Sequence, residues 1–425
     1  MMYTRRAFLK SSGLGLLGVG LIGGIPAFVA EAVAREKNNP LYSKRKVIVC
    51  IFQRGAMDGL MAVSPFEDAY FREARPNLFM DAAKSAGGNA LIDLDGRFGL
   101  HPSMKAFESV FRDKRLAIVH GIGSPNTTRS HFDAQDYMES GTPFQKNTTS
   151  GWLNRAVGLM GHDHAHTTTP FSAVSLTPAL PRSLYGHNEA LAISDLKNFK
   201  IQGNGAVVKQ NAKSFEELYD QTSVDLLRDT GKGSFEAMKL LQRNLVKDYK
   251  PANNVVYPTS SLGNSLKQVA QLIKMDVGLE VAFTESNGWD THYNQGKDTG
   301  IFARNVADLT NCIMAFWNDM EAYQDDVLVM TMTEFGRTVH QNGTNGTDHG
   351  RASCNFILGN HVDGGKVHGI VDTLAKENLE DGRDLKVTTD FRSVFSEVAE
   401  KHLKVKDKKE LFPDWNGEGI GVMKG

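Results

Sequence analysis

The stretch KVIVCIF, residues 46–52, followed directly by QRGAMDG, residues 53–59, decides the fold class of this chain. Its unbroken apolar run, rich in β-branched side chains, predicts a strand that is buried on both faces. The polar, glycine-flanked segment behind it predicts a tight turn at the carboxyl end of that strand. Similar apolar runs occur at residues 115–121, 171–176, 279–284 and 327–333.

Helical patterns alternate with these strands. Apolar residues recur at helical spacing over residues 262–274, and further helices are predicted over about 301–323 and 390–402. This alternation is typical of an α/β fold with a doubly wound, mostly parallel sheet flanked by helices. We expect one domain over residues 35–425, with a polar helical insertion around residues 210–260.

The first 34 residues have the layout of a twin-arginine signal peptide. Arg5 and Arg6 precede a charge-free, glycine-rich apolar stretch, and Ala32-Val33-Ala34 matches a small-residue cleavage site. We therefore expect export by the twin-arginine translocase, cleavage after Ala34, and a protein that works in the periplasm or elsewhere outside the cytoplasm. A retained membrane anchor is the alternative, which the glycines and Pro26 disfavour.

Charge and cysteine content exclude several classes of function. The chain has 48 basic and 49 acidic residues, a formal net charge of −1, so we expect no nucleic-acid partner. Its three cysteines, Cys50, Cys312 and Cys354, form no CxxC pair and lie in apolar contexts. Neither a disulfide framework nor an iron–sulfur cluster is therefore expected.

Carboxylate and imidazole side chains follow several of the predicted strands. Ligands in open α/β sheets bind beyond the carboxyl ends of the strands, so these side chains are candidate metal ligands. Oxygen and imidazole donors together suit a divalent metal, zinc, manganese or calcium. For each residue alone, a turn or a hydrogen-bonded core group is the alternative. The candidates are Asp58, Asp290, His292, Glu334, Asp348 and His349.

The segment RSHFDAQDYMESG, residues 129–141, predicts a loop that enters a helix. Ser130, near the start of this segment, is either a helix N-cap or a nucleophile that attacks a phosphate or sulfate ester. The second role has a chemical basis because the free N–H groups at a helix N-terminus can bind the anionic ester. Thr128 is the rival nucleophile or a substrate contact. Arginines near the same turns are candidates to bind the oxyanion of the substrate. These are Arg54, Arg129, Arg337 and Arg351.

Five motifs in a fixed order carry a family resemblance. They are GAMDGL (55–60), RSHFDAQDYMESG (129–141), GWDTH (288–292), TEFGRT (333–338) and GTDHGRAS (346–353). Together they resemble the bacterial family known as domain of unknown function 1501, over nearly the whole mature chain. That family is similar to a branch of the alkaline phosphatase and sulfatase superfamily, whose members hold one or two divalent metals at strand ends. The resemblance implies an alkaline-phosphatase-like fold and attack on the ester by Ser, Thr or formylglycine.

The resemblance also implies roles for single residues. Glu334 stands where an aspartate followed by histidine is expected, but Phe335 follows it, so one expected imidazole is missing. The implied function is an exported, metal-dependent hydrolase of phosphate or sulfate esters on a small molecule or polymer. The alternative, favoured by Phe335, is a non-catalytic binding or assembly protein with the same fold. The resemblance makes Asp58 the aspartate after the first strand, Ser130 the nucleophile, Asp290 and His292 a metal-binding pair, and His349 the late histidine.

Overall fold

The computed structural model describes residues 45–82, 89–160, 169–198 and 249–425. The predicted signal peptide, residues 1–34, and most of the insertion predicted around residues 210–260 lie outside these ranges. Within them, no helix is both long enough and apolar enough to cross a membrane.

The described residues contain twelve β-strands in two sheets. In chain order they are β1 (Val47–Gln53), β2 (Val63–Pro65), β3 (Ile92–Asp93), β4 (Phe98–Leu100), β5 (Leu116–Gly123), β6 (Ala173–Ser175), β7 (Leu191–Ala192), β8 (Val281–Ser286), β9 (Val327–Met332), β10 (Ser353–Leu358), β11 (Val367–His368) and β12 (Thr389–Asp390). Nine strands form the main sheet, in the order β11-β5-β10-β9-β1-β8-β6-β7, with β12 paired to β5. Strands β2, β4 and β3 form a small antiparallel sheet.

Strand pairs in the main sheet are parallel except for the two that involve β10, which is antiparallel to β5 and β9. The five predicted strands all lie in this sheet, as β1, β5, β6, β8 and β9. The predicted α/β class with a mostly parallel sheet and flanking helices is confirmed. Strand β10 was missed because the polar residues Ser353 and Asn355 interrupt its apolar run.

The described residues contain nine α-helices and six short 3₁₀ helices. The α-helices are α1 (Gly59–Ala62), α2 (Ala69–Ala74), α3 (Glu108–Arg112), α4 (His131–Ser140), α5 (Trp152–Leu159), α6 (Ser261–Lys274), α7 (Ile301–Asp319), α8 (Phe391–Lys401) and α9 (Lys408–Leu411). The 3₁₀ helices are Pro102–Phe107, Arg182–Leu184, Leu196–Asn198, Ala252–Asn254, Glu321–Tyr323 and Lys376–Asn378. The three helices predicted by spacing are therefore found, as α6, α7 with its 3₁₀ extension, and α8.

The two faces of the main sheet carry separate apolar cores. Alternate residues of β1, such as Val49 and Ile51, join the core that contains the buried faces of α6 and α7. Their neighbours Cys50 and Phe52 join the core that contains residues of α5 and α8. Because both faces are covered, β1 has no polar face, which explains its continuous apolar sequence.

Candidate metal centre

The carboxyl ends of β1, β5, β8 and β9 meet at one edge of the main sheet, together with the amino end of the antiparallel β10. This edge is where ligands bind in open α/β sheets. Helix α4, which follows β5, brings His131 to this edge, and the loop after β8 brings Asp290 and His292. The loop before β10 brings His349.

Three of the four side-chain atoms that these residues contribute face one another. Nε2 of His131, Nε2 of His349 and Oδ1 of Asp290 form a triangle with sides of 3.0, 3.3 and 3.5 Å. Nε2 of His292 lies 2.8 Å from Nε2 of His349 and 3.0 Å from Oδ1 of Asp290. Ligand atoms bound about 2.0–2.1 Å from a tetrahedral zinc ion are about 3.3 Å apart. The spacing of the triangle therefore fits one face of a metal coordination shell.

The other ring nitrogen of each histidine determines its tautomer. Every Nδ1 is hydrogen-bonded to a carboxylate or carbonyl oxygen, which can only accept, so the proton lies on Nδ1. The Nε2 lone pairs of His131 and His292 then both face Nε2 of His349, and all three lie near the Asp290 carboxylate. A cation within the triangle of His131, His349 and Asp290 relieves this repulsion, and His292 lies beside the triangle as a further donor. The acceptors are Glu334 Oε1 for His131 (2.8 Å), Asp348 Oδ1 for His292 (2.9 Å) and the Arg129 carbonyl for His349 (2.9 Å).

The carboxylates around the centre are held in their charged form. Burial opposes ionisation of Glu334, but hydrogen bonds from His131 and Gln135 outweigh it and lower the pKa of Glu334. The pKa of Asp348 is also lowered, chiefly by the hydrogen bond from His292. Charged acceptors bind the Nδ1 protons most strongly, which supports the tautomers assigned above.

Glu334 and Asp348 were predicted to be metal ligands. In the structure each of them instead accepts a hydrogen bond from a histidine of the centre. Glu334 is fully buried, and its Oε1 accepts hydrogen bonds from His131, from the Gly55 amide (2.9 Å) and from Gln135 (2.9 Å). Asp348 accepts from His292. We therefore correct both assignments, because these carboxylates orient histidines rather than face the metal position.

The imidazole that the sequence motifs leave missing comes from another segment. His131 provides it from the first turn of α4, while Phe335 packs against the rings of His131 and His349 at centroid distances of 4.9 and 5.1 Å. His131 is not among the candidate ligands predicted from the sequence. The available signal was its place directly after Ser130, in a loop behind a buried strand.

Arg337 is buried and holds the loop that carries Asp290. Its Nη2 donates to Oδ1 of Asp290 (2.7 Å) and to the Trp289 carbonyl (3.0 Å), and its Nη1 donates to the Thr347 carbonyl (3.0 Å). Burial would raise the pKa of Asp290, but Arg337 outweighs this and lowers it. The predicted contact of Arg337 with substrate is corrected, because its guanidinium is inaccessible and positions a candidate ligand.

The other three arginines predicted to touch the substrate are held in ion pairs. A guanidinium paired with carboxylates is a weak partner for a further anion, so the assignment as oxyanion clamps is corrected for Arg54, Arg129 and Arg351. Their partners are Glu139 (2.6 Å) and Glu285 (2.9 Å) for Arg54, Asp384 (2.6 Å) and Asp381 (3.1 Å) for Arg129, and Glu380 (2.8 Å) for Arg351.

Asp58 lies outside the centre, in a buried ion pair with Arg75. Its two carboxylate oxygens accept from Arg75 at 2.6 and 3.1 Å, and Oδ2 also accepts from Gln295 at 2.7 Å. The same carboxylate caps α1 through the Met61 amide. The assignment of Asp58 as a metal ligand is therefore corrected, since both oxygens are used and the side chain is 1% exposed.

This correction predicts separate effects on stability and metal content. Replacing Asp58 with alanine leaves the buried Arg75 unpaired, which we expect to cost about 3–5 kcal/mol of unfolding free energy. Metal stoichiometry of the folded variant, measured by elemental analysis, should stay at the wild-type value. His292→Ala, at a partly exposed position, is the matched control and should lose metal at little cost in stability. Loss of metal from a fully stable Asp58→Ala protein would contradict the correction.

Ser130 occupies the N-cap position of α4, but its side chain makes no capping hydrogen bond. The residue is exposed, and among the described residues its hydroxyl has no hydrogen-bond partner. The Thr128 hydroxyl, by contrast, accepts from the Ser130 amide at 3.2 Å. Of the two candidate nucleophiles, Ser130 has the unengaged hydroxyl.

Several solved structures are similar to this chain at low sequence identity. The PsFucS1 sulfatase from Pseudoalteromonas sp. shares 10% identity, covering 94% of this chain and 78% of its own, with a TM-score of 0.40. The C-terminal periplasmic domain of EcEptC from Escherichia coli, in complex with Zn, shares 12% identity over 76% and 74%, with a TM-score of 0.32. A protein in the alkaline phosphatase superfamily from Vibrio parahaemolyticus shares 11% identity over 78% and 64%, with a TM-score of 0.35. No curated protein matches the chain.

The sequence also matches a family model, described as "Protein of unknown function (DUF1501)", over residues 45–414. The match spans most of the chain and includes the four residues of the candidate metal centre as well as Ser130. The chain therefore belongs to the DUF1501 family.

Proposed function

We propose that this chain is a divalent-metal-dependent hydrolase of phosphate or sulfate esters, with Ser130 as its nucleophile. The observation that carries the proposal is the convergence of Nε2 of His131, Nε2 of His349 and a carboxylate oxygen of Asp290 at the sheet edge that α4 enters, with Nε2 of His292 beside them. Ser130 precedes the ligand His131 directly, and its other neighbour, Arg129, holds His349 through its carbonyl. The free hydroxyl of Ser130 therefore lies on the same backbone segment that contacts His349 and carries His131.

The donor set favours zinc or manganese over calcium. Three imidazole nitrogens and one carboxylate oxygen suit zinc, whereas calcium takes six to eight oxygen ligands. His131, Asp290, His292 and His349 would hold the ion. When bound, it would polarise the ester and stabilise negative charge on the transferring group.

The residues of the chain account for the remaining chemistry. The Ser130 oxygen would form a bond to phosphorus or sulfur while the bond to the leaving ester oxygen breaks, and the hydroxyl proton would pass to solvent. The backbone N–H groups in the first turn of α4 lie beside Ser130 and would bind the oxyanion. Attack by water on phosphorus or sulfur would then break the bond to the Ser130 oxygen and release phosphate from a monoester, a phosphate monoester from a diester, or sulfate.

Chelation and turnover together test the proposal. Purified protein should contain about one equivalent of divalent metal, as expected of a single four-ligand centre. Aryl phosphates, phosphodiesters and sulfates should be assayed with zinc, manganese and calcium before and after treatment with a chelator. Turnover of at least one ester class should disappear on chelation and return with metal. Turnover that survives complete metal removal, or no turnover with any metal, would contradict the hydrolase proposal.

We predict that metal affinity falls in acid, because protons compete for the Nε2 lone pairs. The pKa of His131 is raised, chiefly by its hydrogen bond to Glu334, while burial lowers the pKa of His349. Binding should therefore be complete above the pKa of His131 and decline as the pH falls through it, before His349 is protonated. Competition with a metallochromic chelator between about pH 5 and 8.5, the range in which histidine titrates, measures this decline. A constant affinity over that range would contradict it.

We also propose that the chain is exported through the twin-arginine pathway. Replacing Arg5 and Arg6 together with lysine keeps the charge but removes both guanidinium groups, so it should block export. Periplasmic and cytoplasmic fractions compared by immunoblot measure the effect, with Lys10→Arg as a matched control that should be exported normally. Unchanged periplasmic recovery of the double variant would contradict this proposal.

A further inference from the structure

The charge around the metal centre narrows the class of substrate, a step that rests on the proposed function. Three neutral imidazoles and the Asp290 carboxylate would leave a bound divalent cation with one net positive charge. Arg337 does not add to the charge available to substrate, because it is buried and paired with Asp290 at 2.7 Å. The coordination shell by itself therefore complements a single negative charge.

The cations around the centre are already neutralised. In the described ranges, each of the surrounding arginines has at least one carboxylate partner, and the exposed Lys146 pairs with Asp133 at 2.7 Å. Arg383 contacts Asp384 at 2.9 Å and the His349 carbonyl, and Arg129 shares Asp384. A second negative charge on the substrate would have to compete with a carboxylate for one of these cations. The remaining pairs are those of Arg54, Arg337 and Arg351.

Two carboxylates beside the centre add negative charge of their own. Glu334 and Asp348 accept hydrogen bonds from ligand histidines and from amide or hydroxyl groups. Asp348 has a side chain that is 54% exposed, so it faces solvent at the open side of the site. A dianion bound at the metal would be repelled by Asp348 more strongly than a monoanion.

We propose that the substrate is a monoanionic tetrahedral ester, a phosphodiester or a sulfate monoester, and that dianionic phosphate monoesters are disfavoured. Phosphodiesters and sulfate monoesters both carry one negative charge on a tetrahedral group. The structure therefore assigns the charge of the substrate, but it does not distinguish phosphorus from sulfur as the central atom. The preference for monoanions over dianions arises because, among the described residues, each arginine around this centre is already paired with a carboxylate. An enzyme for phosphate monoesters needs a free arginine clamp, or a second metal ion, to offset the second charge.

Binding and turnover of matched esters test this inference separately. Phenyl phosphate, methyl phenyl phosphate and phenyl sulfate share one aryl group, and at pH 8.5 only the first is a dianion. Calorimetry on zinc-loaded protein should show at least tenfold tighter binding of one or both monoanions. The p-nitrophenyl versions should show at least a tenfold higher kcat/KM for the same class. The comparison of diester with sulfate identifies the element.

The contribution of the Asp348 charge to this preference can be tested with one variant. Asp348→Asn keeps an oxygen that can accept from His292 but removes the negative charge, so it should reduce the preference for monoanions over phenyl phosphate by at least threefold. Equal or tighter binding of phenyl phosphate by wild-type protein would overturn the inference, even if the protein hydrolyses esters. A monoanion preference in binding without turnover of any ester would uphold the inference and overturn the proposed hydrolase.

Discussion

Replacing His131 with alanine is expected to lower the metal affinity of this protein by at least about 100-fold, because it removes one of the four donors. Nε2 of His131 forms one corner of the donor triangle, 3.0 Å from Nε2 of His349 and 3.5 Å from Oδ1 of Asp290. Isothermal titration with zinc after chelation, together with elemental analysis, measures the effect. Any metal-dependent turnover should fall with the bound metal.

The control for this variant is His361→Ala, at an exposed position outside the centre. It should bind metal like wild type. Thermal unfolding without metal should show that both proteins are folded, with a lower midpoint for His131→Ala because the buried Glu334 carboxylate loses one hydrogen-bond donor. Wild-type zinc affinity in a folded His131→Ala protein would show that the centre is assembled without this residue, and the His131 assignment would then be wrong.

Replacing Ser130 with alanine is expected to reduce ester hydrolysis at least about a thousandfold while leaving stability within about 0.5 kcal/mol of wild type. The structure separates the two effects because the Ser130 hydroxyl makes no capping bond in α4. Metal content should stay at the wild-type value, since the Nε2 lone pairs of the histidines are unaffected. Steady-state kinetics, elemental analysis and denaturant unfolding measure the three quantities.

A second serine provides the matched control. Ser260 caps α6, where its hydroxyl accepts from the Gly263 amide at 3.1 Å. Ser260→Ala should therefore cost about 1 kcal/mol of stability and leave hydrolysis unchanged. If Ser130→Ala loses stability like Ser260→Ala and keeps most of its turnover, Ser130 is a structural cap. Thr128→Ala then becomes the variant to test.

The sequence predicted the location of the candidate site better than it predicted which residues form the site. Strand ends, glycine turns and the residue types Asp and His were sufficient to select Asp290, His292 and His349, whose donor atoms face one point. The same criteria selected Asp58 equally well. Its motif contains no sign that Arg75, seventeen residues later, forms an ion pair with it.

The arginine predictions failed for a related reason. An arginine beside a glycine turn has the same local sequence whether it points to solvent or pairs with a carboxylate from a distant segment. The partner of Arg54 at Glu285 is 231 residues away, and that of Arg129 at Asp384 is 255 residues away. Long-range ion pairs of this kind are set by chain packing and leave no periodic signal.

The sequence alone determined the fold class, because buried parallel strands and amphipathic helices impose local patterns of apolar residues, readable within the seven residues of β1 or the fourteen of α6. It also placed the candidate site at the carboxyl edge of the sheet, since that follows from strand direction. Only the tertiary structure decided which side chains share one point in space. His131 lies beside Glu334 because helix α4, which follows β5, meets the loop that follows β9, and this contact depends on the order of strands in the sheet.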